Sequence, residues 1–221
     1  QSIIVKYLIR MLYPLADNLI AVSKGVKEDL TNNFKIKKNI KVVYNFIDVE
    51  DIEEKSNDKC EFDFSSFTFI TIGRLDEGKN HRLIINSMKD FPNAQLIIIG
   101  ESPLGDDKLK QQLKEQINFL NLESRVFLLG YQKNPYKYLK SSDCFVFASN
   151  YESFGISIIE ALACRLPVIS TDCPSGPREI LSPDTDYSFK LIDHIEFAKY
   201  GILIPVDNVK RMSEAMGHVY K

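Results

Sequence analysis

The sequence predicts an α/β protein built on a doubly wound parallel sheet. From Ser66 onward, short runs of β-branched and aromatic residues alternate with helix-like stretches to the end of the chain. The runs lack clean polar alternation, which is the pattern of strands covered on both faces. Polar, Gly-containing turns follow several of them and open helices, at the edge where open parallel sheets bind ligands.

Taken in order, residues 1 to 15 read as a helix and Asn18 to Ser23 as a short buried strand. Ser23 has the placement of an N-cap for a helix over Lys24 to Phe34. Ile40 to Asn45 reads as another strand. These elements are too few to enclose a core of their own. Asp48 to Asp63 turns acidic and polar and reads as a linker. The alternation then runs strand Phe67 to Leu75, helix Lys79 to Lys89, strand Ala94 to Gly100 and helix Asp106 to Asn121. Strand Arg125 to Tyr131, helix Pro135 to Ser141, strand Cys144 to Ser149, helix Gly155 to Cys164 and strand Pro167 to Thr171 follow. A short helix from Gly176 to Leu181, an irregular Ser/Pro/Asp loop, a strand Gly201 to Val206 and a helix from Asn208 close the chain.

The 221 residues can hold one large domain, or one domain and part of another, and the first residue is Gln1 rather than Met, so a fragment or processed product is expected. A net charge of −2 with interspersed signs offers no basic block for a phosphate backbone, so nucleic acid is excluded as a partner. Cys60, Cys144, Cys164 and Cys173 form no C-x-x-C pair, which favours a reducing, cytoplasmic compartment and speaks against zinc. His81, His194 and His218 show no ligand spacing, and no metal site is expected. No apolar run approaches the ~20 residues that span a bilayer. Lys6 and Arg10 beside Tyr7, Leu8 and Leu12 fit a basic amphipathic face resting on a membrane, at its inner surface; a core-facing helix is the preferred reading.

The stretch Asn150 to Ala163 reads as an anion site, a turn between a buried strand and a helix whose first N–H groups are unpaired. If one helix ran from Glu152 to Glu160, their carboxylates would stand about 12 Å apart along the axis and roughly 80° apart around it. They could hold two ends of an elongated ligand but not one atom. Alternatively both are solvated carboxylates. Gly73 to Asn80 (GRLDEGKN) nearly matches the phosphate-binding G-x-x-x-x-G-K-[ST] loop. Asn80 replaces the Mg²⁺ ligand, and Asp76 and Glu77 place negative charge in the cradle. Arg74 and Lys79 remain as a planar fork and a point charge suited to a diphosphate, or as surface charges on a loop.

GRLDEGKN, then YESFGISIIEALACRLPVIS, then GPREIL, together resemble the donor-binding domain of a retaining nucleotide-sugar glycosyltransferase of the glycogen-synthase-like family 4. The similarity covers about residues 66 to 206, and ADNLIAVSKGVKEDL resembles the last strand-helix unit of that family's first domain. The resemblance implies a Rossmann-like domain that is one half of a two-domain GT-B fold. Residues 65–221 would be a truncated donor-binding domain, and 1–64 a remnant of the acceptor-side domain plus linker. It further implies that Gly73, Arg74 and Lys79 bind the donor diphosphate and that Glu152, the catalytic-side carboxylate, binds the sugar hydroxyls. The N–H groups of Phe154, Gly155 and Ile156 would face sugar and phosphate, Glu160 the ribose, and main-chain groups at Gly130 and Tyr131 the base.

The implied activity moves a hexose or hexosamine from a nucleotide diphosphate sugar, a UDP-sugar by family frequency, to a glycan or lipid-linked acceptor with retention and without a metal or other cofactor. The glycine-rich loop and His of that family's first domain are absent from these residues. A non-catalytic nucleotide-sugar-binding module completed by a partner chain, and a P-loop phosphatase, are the alternatives. Asp184-Thr185-Asp186 matches the D-x-D by which another glycosyltransferase fold holds a metal-bound donor, but in its Ser/Pro loop it reads as a turn of solvated carboxylates.

Overall fold

The computed structural model of the chain describes residues 3–103 and 107–220. Helix α1 (Ile3–Leu12) runs into a 3-10 turn at Tyr13–Leu15. Strand β1 (Leu19–Ala21), helix α2 (Lys24–Asn32) and strand β2 (Ile40–Val42) follow. The Ser23 hydroxyl caps α2 by accepting from the Val26 N–H at 3.1 Å, as its placement predicts. β1 and β2 pair in parallel, and Leu19, Ala21, Phe34, Ile36 and Ile40 bury one another there. The result is a small satellite core, larger than the sequence reading allowed.

The segment read as a linker contains a helix, α3 (Val49–Ser56). Asp48 caps it through the Asp51 N–H (3.0 Å), and Lys55 pairs with Asp51 at 2.7 Å. The acidic composition that suggested a linker is what stabilises the positive N-terminal end of a helix. Only Ile52 and Ser56 are buried, too few apolar positions to show a helical period.

The remaining elements are β3 (Phe67–Ile72), α4 (His81–Ser87), β4 (Ala94–Ile99), α5 (Lys108–Phe119), β5 (Val126–Gly130), α6 (Tyr136–Ser141) and β6 (Cys144–Phe147). Then come α7 (Ile156–Ala163), β7 (Val168–Thr171), α8 (Pro177–Leu181), β8 (Glu196–Ala198), β9 (Gly201–Ile204) and α9 (Val209–Val219). The helix expected from Lys79 begins two residues later. Asn80 is left-handed (φ 47°), so a 3-10 turn at Glu77–Lys79 ends there before α4 starts. Asp106, the expected first residue of the next helix, lies outside the described residues. β8 falls in the loop read as irregular; it has three residues and pairs antiparallel to β9.

The seven-stranded sheet has the order β5-β4-β3-β6-β7-β9-β8, and every pairing but the last is parallel. Successive residues along a strand serve opposite faces. Phe69, Leu96, Ile98 and Val146 pack under α4, α5 and α9, while Ile70, Ile97, Phe145 and Phe147 pack under α6, α7 and α8. Each such side chain contributes roughly 1.5–3 kcal/mol over its exposed state. Helices therefore wind the sheet on both faces, as the sequence predicts.

The order also fixes where ligands can enter. The chain leaves β3 to one side through β4 and β5, then returns to the other side of β3 with β6. Outward-diverging connections leave a crevice at the carboxyl ends of β3 and β6, the switch point where open sheets bind ligands.

Candidate functional site

The turn after β3 is built by close approach. The Gly73 N–H donates to Ile99 O (3.0 Å) and the Leu75 N–H to Glu101 O (2.9 Å). Gly100 takes φ +146°, and a Cβ there would stand 1.9 Å from Gly73 O, so only glycine lets the two turns touch. His81 is buried, and its Nε2–H donates to Arg74 O at 3.0 Å. Burial holds its pKa below the usual histidine value, so the ring is neutral and steadies the turn without adding charge.

This turn carries the two cations. Arg74 reaches into solvent, 76% exposed, with Asp76 at 3.2 Å. The Asp76 carboxylate also accepts the Lys79 N–H at 3.2 Å. A phosphate-binding cradle of the P-loop kind is therefore not formed, because a carboxylate occupies one of its amides. The Lys79 ammonium lies over the Phe147 ring at 5.3 Å and pairs with Glu152 Oε1. That carboxylate, 13% exposed, also accepts from Ser149 Oγ at 2.8 Å.

Glu152 is not helical. It sits in the turn before α7, its N–H donating to Pro174 O at 3.2 Å, so the separation reckoned for one continuous helix from Glu152 to Glu160 does not apply, while the helix expected from Gly155 to Cys164 is present as α7. Gly155 breaks the run by taking φ +101° as the N-cap of α7. The Ile158 N–H turns back to Gly155 O (3.0 Å), which leaves the amides before it at the helix start to partners outside the helix. Phe154 is buried and Ile156 is exposed.

Glu160 lies a turn further on and accepts from the Tyr136 hydroxyl at 3.1 Å. Burial raises its pKa against the opposing pull of that hydrogen bond. The Tyr136 hydroxyl is pushed up to about 12, first by burial and then by Glu160. At the end of β5, Gly130 takes φ +69° and its C=O accepts from the Gly100 N–H (2.9 Å), while Tyr131 is exposed.

A cleft of about 1020 Å³ opens between the seven-stranded unit and the small β1–β2 unit. Arg74, Lys79, Tyr151, Glu152 and Lys190 line one wall, and residues of β1 and α2, Ala21, Gly25 and Val26 among them, line the other. Thus three of the expected site residues meet in one cleft. Gly73, Gly130, Tyr131, Phe154, Gly155, Ile156 and Glu160 do not line it; they stand at the same sheet edge, Glu160 beside Tyr136.

Sequence reasoning missed Gly100, Tyr136, Ser149 and Lys190, and gave Tyr151 no role within its stretch. A glycine closing an apolar strand run was a signal for Gly100; the others carry none that is local. Asp184 pairs with exposed Lys199 (2.9 Å) and Asp186 accepts from Ser188, so D-x-D is a turn here. Among the described residues no cluster of three metal-ligating side chains occurs, and no helix is long and apolar enough to cross a membrane. Burial pushes Cys173 up to about 12 and Cys164 to about 11, away from thiolate chemistry.

Residues 52–220 match the family described as Glycosyl transferases group 1, and residues 1–51 match Glycosyltransferase Family 4. An uncharacterized glycosyltransferase of Methanocaldococcus jannaschii is 46% identical over 201 residues, 86% of this chain and 48% of that protein. The N-acetylgalactosamine-N,N'-diacetylbacillosaminyl-diphospho-undecaprenol 4-alpha-N-acetylgalactosaminyltransferase of Campylobacter jejuni is 38% identical over 217 residues, 98% of this chain and 54% of that protein. The chain thus spans about half the length of these curated relatives. Among solved structures, a mutant of S. aureus TarM in complex with fondaparinux, alpha-GlcNAc-glycerol and UDP superposes with a TM-score of 0.76 at 25% identity, covering 98% of this chain and 39% of that one. Anabaena HepE in complex with UDP and glucose superposes at 0.76 with 20% identity, covering 98% and 58%, a likeness of fold alone.

Proposed function

Because this chain belongs to the Glycosyl transferases group 1 family, with a Glycosyltransferase Family 4 stretch before it, we propose that it is the donor-binding half of a GT-B glycosyltransferase. The enzyme would move a hexose or hexosamine from a UDP-sugar to a glycan or lipid-linked acceptor with retention. The observation that carries this reading is the convergence of Arg74, Lys79 and Glu152 in one cleft, at the switch point and next to the start of α7. The UDP in the TarM complex and the diphospho-undecaprenol acceptor in the Campylobacter relative's name support the donor and acceptor classes.

In this reading Arg74 and Lys79 take the diphosphate, together with the first amides of α7. Two cations and a helix N-terminus supply the positive charge that a metal would otherwise bring. Glu152 accepts from the sugar hydroxyls while Lys79 holds its carboxylate in place. Glu160 accepts from the ribose, and main-chain groups at Gly130 and Tyr131 meet the base. The acceptor hydroxyl attacks from the face the diphosphate leaves, and the leaving oxygen takes the hydroxyl proton. Positioning that hydroxyl can be worth about 7 to 11 kcal/mol. The β1–β2 unit has too small a core to build an acceptor pocket, so these 221 residues are expected to bind donor without efficient transfer. In this reading residues 1–64 are the acceptor-side remnant plus linker, and residues 65–221 the donor-side portion.

Titration calorimetry with UDP and a UDP-sugar, with and without chelator, tests it. Binding is expected in both conditions. Glu160→Gln should weaken both ligands, and Glu152→Gln only the UDP-sugar. Loss of binding with chelator, or equal losses on both ligands for both variants, would overturn the metal-free, two-ended assignment. Sugar-nucleotide binding with no transfer by any longer chain would favour a binding module.

A further inference from the structure

The segment Ser175 to Glu179 is wedged between the two units and touches both. On the side of the β1–β2 unit, the Glu179 carboxylate sits on the start of α2. Oε2 accepts from the Lys24 N–H at 2.8 Å and from the Tyr44 hydroxyl at 3.0 Å, and Oε1 accepts from the Gly25 N–H at 3.1 Å. A Cβ on Gly25 would lie 2.4 Å from Ser175 Oγ, so α2 meets the segment with no side chain between.

On the other side, Gly176 takes φ +92°, and a Cβ there would lie 1.8 Å from Phe154 O. The wedge thus rests directly on the backbone that opens α7. Tyr44 closes the ring of contacts: its ring stacks on Phe154 with centroids 5.6 Å apart, and its hydroxyl goes to Glu179. The wedge is itself fixed, because buried Arg178 donates from Nε and Nη2 to Asp172 and from Nη2 to Glu196. A displacement at Phe154 therefore has a rigid route to α2, and the anion that α2's N-terminus favours is supplied by Glu179.

We propose that Glu179 is a positioning residue: through Ser175–Gly176 and Tyr44 it couples occupancy of the Phe154–Ile156 loop to the placement of the β1–β2 unit across the cleft. The ligand-dependent part rests on the donor-site reading above. Glu179 touches no donor atom in that reading. Its effect is a coupling between two sites that runs equally in both directions.

Amide hydrogen exchange, resolved by NMR at Lys24 and Gly25, tests this in the full chain, in Glu179→Gln and in Tyr44→Phe, each with and without UDP. Without ligand, Glu179→Gln should speed exchange at both amides by roughly tenfold or more, the loss of hydrogen bonds to a charged acceptor. Tyr44→Phe, which keeps the stacked ring, should give a smaller rise at the same two amides. UDP should slow both amides in the wild type and leave them unmoved in Glu179→Gln, although calorimetry still records UDP binding to that variant. Unchanged exchange in Glu179→Gln, or an equal response to UDP in variant and wild type, overturns the proposal. Should Glu179→Gln also lose protection at Ile97 and Val146 in the central strands, it has unfolded and Tyr44→Phe decides: no rise at Lys24 and Gly25 then overturns the proposal. If UDP fails to bind the wild type, the donor-site reading fails, and the ligand-free comparison alone judges the contact.

Discussion

Lys79 and Glu152, 73 residues apart in the chain, hold each other across the carboxyl ends of β3 and β6. The cation expected at a diphosphate and the carboxylate expected at a sugar are partners of one another before any ligand arrives. Phe147 under the ammonium and Ser149 against the carboxylate complete the arrangement. Whatever binds here meets a preformed ion pair rather than two separate charges.

That pairing predicts non-additivity. Lys79→Met and Glu152→Gln should each cost about 1 to 3 kcal/mol in urea unfolding, since each leaves a largely buried group without its charged partner. The double variant should lose clearly less than the sum, the signature of a shared interaction. Strictly additive losses would mean that the two groups do not stabilise one another.

Glu160 predicts a pH-dependent stability gap. Its folded-state pKa is raised by burial, so the stability it permits is complete below its unfolded value, about 4.3, and is lost as pH rises through the raised value. Glu160→Gln carries no such loss. Urea titrations at pH 4 and pH 7 should therefore show the variant gaining on the wild type as pH rises, while nucleotide binding falls. A variant that loses ground to the wild type between pH 4 and pH 7 would contradict the burial of this carboxyl.

Gly100→Ala should cost at least about 1 to 3 kcal/mol from its backbone conformation alone. The methyl would collide with Gly73 O, so the turn bearing Arg74 must also move and nucleotide affinity should fall. Calorimetry beside thermal unfolding checks both; wild-type stability with wild-type affinity would refute the close approach.

Arg178→Met takes the guanidinium fork from Asp172, whose side chain is wholly buried, leaving it the Leu191 N–H at 2.9 Å and Lys190 at 3.7 Å, and should cost up to about 3 to 5 kcal/mol. Lysine at the same position should recover only part of this, because it lacks the fork that serves Asp172 and Glu196 together. Chemical denaturation distinguishes these cases, and full recovery by lysine would show that charge alone matters.

What this sequence determined by itself is local in kind. β-Branched runs such as Phe67–Ile72 and Cys144–Phe147 read as doubly covered strands because their own composition records burial on both faces. The polar turns behind them read as ligand edges, and GRLDEGKN with YESFG identified the family because short motifs keep their chemistry in consecutive residues. What failed locally was α3, whose single buried aliphatic gives no period; the helix expected from Gly155 to Cys164 stands, with Gly155 as its left-handed N-cap and Glu152 outside it. Only the tertiary structure decided that β6 lies against β3, and with it that Lys79 meets Glu152, that Tyr136 meets Glu160, and that Glu179 reaches α2 over 155 residues. The reason is physical: periodicity encodes which face of an element is covered, whereas strand order and the partners of a charged side chain follow from how all the covered faces pack at once.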